Sequence, residues 1–75
     1  MFNVMAQSED RIRQIDTQIA DFKKEGLVQT AATLSRLRNA IATGHPIDDL
    51  AMLAIFAEAL EGIERRVAEI ESREA

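Results

Sequence analysis

Residues Leu50 to Ala57 read Leu-Ala-Met-Leu-Ala-Ile-Phe-Ala, eight consecutive apolar positions. Alanine, leucine and methionine dominate the run, which suits a helix better than a strand. At about 100° per residue the run circles a helix more than twice, and a helix that is apolar all round has to be covered on several sides. With 75 residues in all, the chain is too short to supply that cover. The expected remedy is a second copy or another protein.

Just upstream, Thr43-Gly44-His45-Pro46 breaks the pattern. Gly44 suits the residue after a helix, and Pro46 suits the first turn of the next, with Asp48 and Asp49 near its positive end. The C-terminal helix is expected from about 46 to 73. Its core seam is Ile47, Leu50, Leu53, Ala57, Leu60, Val67 and Ile70, while Met52, Ile55 and Phe56 fall off that line as a second apolar face. Beyond Leu60 the pattern becomes conventionally amphipathic, with Glu61–Arg65 and Glu69–Arg73 as outward i,i+4 pairs.

Upstream of the break, Ser8 is a good N-cap, and Glu9 and Asp10 follow it in the first turn. Ile12, Ile15, Ile19 and Phe22 then keep a 3,4,3 spacing. The seam continues through Gly26, Thr30, Leu34, Leu37 and Ile41 with one extra four-residue step, a stutter in coiled-coil terms. Either residues 8–43 form one long helix, or Gly26 ends a first helix and a second begins at Leu27. A glycine inside a helix costs only about 1 kcal/mol relative to alanine, so the sequence favours the single helix. The expected fold is therefore all-α: an antiparallel helical hairpin over 8–75 with its turn at 43–46, three helices if broken at Gly26, associating into a helical-bundle dimer. Residues 1–7 are expected to be a flexible or partner-contacting segment.

Composition narrows the functional classes. Thirteen acidic and nine basic side chains leave a formal charge of −4, which opposes a general nucleic-acid or anionic-membrane binder. The first ten residues carry no Lys or Arg and do not read as a signal peptide. No run approaches the ~20 apolar residues that span a bilayer. With no cysteine, a cytoplasmic location is the expectation.

Few residues offer chemistry. His45 with Asp48 and Asp49 could form part of a metal site, but no other His or Cys exists to complete it. Glu58 and Glu61 lack the histidine partners of di-iron bundles. Ser35 and Ser72 fall on expected helices away from His45, and the three glycines are scattered rather than gathered into a phosphate loop. No catalytic, cofactor or metal site is expected, and no small-molecule substrate. Residues 27–41 admit a helix-turn-helix with its turn at Ser35, placing Arg36, Arg38 and Asn39 against DNA. The favoured function is a small non-enzymatic adaptor, co-chaperone or inhibitor that binds itself or a partner protein. The expected interface residues are Leu50, Met52, Leu53, Ile55, Phe56 and Leu60 on the last helix. Ile12, Ile15, Ile19 and Phe22 join them from the first. A structural subunit of a larger assembly is a further alternative.

Overall fold

The chain breaks at Gly26. In the computed structural model, which describes residues 4–74, α1 spans Val4–Glu25, α2 Val28–Ala42 and α3 Ile47–Glu74. The Gly26 N–H donates to the Lys23 carbonyl at 3.1 Å and the Leu27 N–H to the Phe22 carbonyl at 2.9 Å. Gly26 itself sits at φ +83°. Those two bonds and the left-handed residue that makes them possible are a Schellman cap. The expectation of one helix over 8–43 is thus corrected. Terminating the helix at Gly26 lets the downstream half of the seam fold back on the upstream half.

The second turn repeats the device. Gly44, at φ +76°, donates to the Ile41 carbonyl at 3.2 Å, and His45 donates to the Ala40 carbonyl at 3.0 Å. The Pro46 carbonyl then accepts from Asp49 and Leu50, starting α3 at the expected place. α1 begins at Val4, so Ser8 lies inside a helix rather than at its start. Of residues 1–7, read from the sequence as a flexible or partner-contacting segment, residues 4–7 are helical, and residues 1–3 lie outside the described residues.

The three helices form an open, antiparallel row with α2 in the middle, in contact with both α1 and α3. Ile15 and Ile19 from α1, Ala31, Leu34 and Leu37 from α2, and Ala57 from α3 make the buried cluster. Phe22, Ile41, Leu50 and Leu53 pack partly against it. This core is thin, since few large aliphatic side chains are fully enclosed and each contributes about 1.5–3 kcal/mol. The molecule is accordingly elongated, 54 × 22 × 17 Å.

One end is fastened by polar contacts from α3. α2 begins at Leu27 without a side-chain cap of its own. Glu64, 34 residues beyond Thr30, supplies it. Its Oε1 accepts from both the N–H and the hydroxyl of Thr30 at 2.6 Å, and its Oε2 accepts from the Gln29 N–H at 3.1 Å. Burial pushes the Glu64 pKa up, but the Thr30 hydroxyl and the two backbone donors outweigh it, leaving the carboxyl below its ordinary range. Next to it, Arg65 bonds Glu25 of α1 and Glu61 of α3, both at 3.0 Å. Its guanidinium also lies 5.9 Å from the centre of the Phe22 ring.

Candidate protein-interaction site

α3 is 28 residues long and α2 only 15, so α3 has far more surface than α2 can cover. Leu50, Leu53, Ala57, Leu60 and Glu64 recur at helical spacing and line the α2 side. Because Glu64 already meets the first turn of α2, the rest of α3 runs on beside the α1–α2 turn, where Arg65, Ala68, Glu69, Ser72 and Arg73 border a shallow cavity with Glu25 and Leu27.

A second stripe runs along α3, rotated about 120° from the first by the same geometry. It contains Met52 (61% exposed), Ile55 (65%), Phe56 (57%), Ile63 (58%), Val67 (47%) and Ile70 (47%). From Met52 to Ile70 it extends about 27 Å along the helix. Glu58, Ala59, Gly62, Ile63, Arg66 and Val67 outline a shallow depression near its middle. A neighbouring groove toward α2 joins Met52, Leu53 and Phe56 to Arg36, Asn39 and His45. On the other flank of α3, Leu50 and Ala54 share a trough with Ile15 and Gln18 of α1 and with Leu37 and Ile41 of α2, while Ile47, expected on the inner seam, stands at its edge 80% exposed because it begins the helix beyond the end of α2.

The ten residues expected at an interface separate into two groups. Met52, Ile55 and Phe56 are exposed on the outer stripe. Ile15 and Ile19 are buried within the chain. Phe22, Leu50 and Leu53 are partly buried against that same core, and Ile12 and Leu60 are likewise half-buried. Ile63, Val67 and Ile70 extend the outer stripe past Leu60, where the sequence pattern alone turns conventionally amphipathic. That pattern places Val67 and Ile70 on the inner seam, although the step from Leu60 to Val67 leaves a seven-residue gap in it. A second seam at 52, 56, 59, 63 and 70 is the sequence signal that assigns Ile70 outward.

The residues considered for DNA contact do not form a turn. α2 continues unbroken through Ser35, and Arg38 is held by Asp16 of α1 at 3.2 Å. At the second turn, His45 Nδ1 lies 3.9 Å from Asp49. Among the described residues no group of three or more His, Cys, Asp or Glu side chains is placed to hold a metal ion. No described helix is long and apolar enough to cross a membrane. Comparison with known protein families, curated proteins and solved structures finds no match for this chain.

Proposed function

We propose that this protein is a small, cytoplasmic, non-enzymatic interaction module (an adaptor, co-chaperone or inhibitor) that works by presenting the outer face of α3 to a protein surface. The observation that carries the reading is the exposure of Met52, Ile55, Phe56, Ile63, Val67 and Ile70 along one helix. Isolated exposed apolar side chains are ordinary, but a contiguous stripe marks a contact surface. Its methionine and aliphatic character, with one aromatic anchor in Phe56, suits a protein partner better than a polar substrate.

Light scattering combined with dye binding tests the reading. An uncovered stripe of this kind either assembles, giving a mass above the 8.4 kDa of one chain, or stays monomeric and binds an apolar dye such as ANS. Phe56→Asp is expected to diminish whichever signal the wild type gives while keeping full helicity, because Phe56 contributes little to the chain's own core. A wild-type chain that remains at 8.4 kDa and binds no dye would overturn the reading.

A further inference from the structure

The outer face of α3 carries a regular heptad that its own chain does not use. Asp49, Met52, Phe56, Ala59, Ile63, Arg66, Ile70 and Arg73 follow each other at alternating steps of three and four, the 3.5-residue repeat of a coiled-coil seam. Building on the interaction reading above, we infer that this face takes a second copy of the same chain, with the two α3 helices antiparallel and their two-fold axis passing between Ala59 and Ile63, at the level of residue 61.

Charge sets the direction. Asp49 stands at the start of the seam, and Arg66 and Arg73 lie toward its end. A parallel pair would oppose each residue to itself, aspartate to aspartate and arginine to arginine. The antiparallel register centred at 61 opposes Asp49 to Arg73, Met52 to Ile70, Phe56 to Arg66 and Ala59 to Ile63. Each contact then occurs twice by symmetry. Every ionic group on the seam meets an opposite charge or an aromatic face, and the small Ala59 receives the large Ile63.

Gly62 supplies an independent argument. It sits mid-helix, where glycine costs about 1 kcal/mol relative to alanine, yet a Cβ added there would meet nothing within 4 Å. Nothing inside the chain requires the missing side chain. In the antiparallel pair Gly62 flanks the two-fold axis, beside the depression lined by Ala59, Ile63 and Arg66, and its bareness lets the helices approach closely.

The area lies at the lower edge of what a specific interface needs. With exposures of 47–65%, Met52, Phe56, Ile63 and Ile70 on the seam and Ile55 and Val67 at its flanks present on the order of 600 Å² per copy, so complete burial of all six removes on the order of 1,200 Å², against the roughly 1,200–2,000 Å² of a stable specific interface. Ala59, Arg66 and Arg73 add to it from the same seam.

Disulfide trapping tests both partner and direction, since the natural chain has no cysteine. Met52→Cys and Ile70→Cys chains are mixed and oxidised at neutral pH, alongside light scattering of the wild type. The expected result is twice the single-chain mass, with the mixed Met52–Ile70 disulfide forming well ahead of either same-residue disulfide. In the antiparallel pair two Met52 positions lie about 27 Å apart, beyond disulfide reach. Same-residue disulfides as the main product would overturn the antiparallel pairing. A monomer that nevertheless binds ANS in a Phe56-dependent manner would overturn the second copy as occupant and leave the interaction reading standing. Gly62→Leu is the folding-independent check. It removes the helix cost of glycine, and its Cβ meets nothing in the chain, yet it should raise the dimer dissociation constant about tenfold or more. Unchanged dimerisation in that variant would sink the close approach at Gly62.

Discussion

The two turns of this molecule share one backbone geometry and the glycine that provides it, and differ in the signals that follow. Gly26 and Gly44 both sit at positive φ, and each is followed by a residue whose N–H reaches back five positions. After Gly44 come Pro46, Asp48 and Asp49, so the start of α3 carries its signals locally. After Gly26 comes Leu27, and α2 starts with no acidic residue in its first turn. Its cap arrives instead from Glu64 on another helix. A helix start can therefore be specified by tertiary contact, leaving the glycine that ends the preceding helix as the local sign of the break.

Removing that distant cap should have the largest effect. Glu64→Ala leaves the N–H groups of Gln29 and Thr30 without their acceptor and strips the partner from the hydroxyl of Thr30, a residue only 1% exposed. The expected loss is about 2 kcal/mol, read as a lower urea midpoint at fixed chain concentration. Thr30→Val should cost less alone, and the double variant should fall short of the sum, because both substitutions break the same interaction. Strict additivity would mean that Glu64 stabilises the fold by some other route.

The legibility of the fold in the sequence follows the same division. The seam Ile15, Ile19, Leu34 and Leu37 is legible because burial repeats at helical spacing, and all four are buried. Its stutter at Gly26 reads as an irregularity in one long coiled coil, whereas it marks where the seam folds against itself. Both arrangements place the same residues inward, so periodicity does not choose between them. Glu64, Arg65 and their partners in α1 and α2 are separated by 34 to 40 positions, and no spacing rule links groups that far apart. On α3 the apolar run at 50–57 is conspicuous, but periodicity merges Val67 and Ile70 with the inner seam. The seam at 52, 56, 59, 63 and 70 separates Ile70 from it, and the exposure of both residues, 47% each, shows that the chain's own packing leaves about half of each side chain uncovered.

A second contrast comes from the glycines themselves. Neither Gly26 nor Gly44 has an atom within 4 Å of the position a Cβ would take, so alanine there meets only backbone strain. Each substitution should therefore cost about 1 kcal/mol, with matching shifts in urea midpoint and an unchanged slope. A much smaller loss for Gly26→Ala, accompanied by a gain in far-UV helicity, would show α1 and α2 merging into the continuous helix that the seam also permits. Gly44→Ala has no such escape, because Pro46 cannot donate the hydrogen bond that a continuing helix would need.

The subtlest test titrates the cap. Against the upward push of burial, the bonds from Thr30 and Gln29 hold the Glu64 carboxyl below its ordinary range. A group whose pKa is lower folded than unfolded contributes stability that is fully present above the unfolded value, about 4.3 for glutamate. That contribution drains away as pH falls through the folded value. Glu64→Gln keeps an acceptor oxygen for the two Thr30 donors, turns its amide NH2 toward the Gln29 N–H, and loses the charge that favours a helix N-terminus. At pH 7 the variant should be less stable than wild type by about 1 kcal/mol or less. Melting temperatures followed downward in pH should then converge, since the protonated wild-type carboxyl and the neutral amide alike lack the charge. Curves that stay parallel down to about pH 3, below the unfolded glutamate value, would place the stabilising effect of Glu64 in its shape rather than its ionisation.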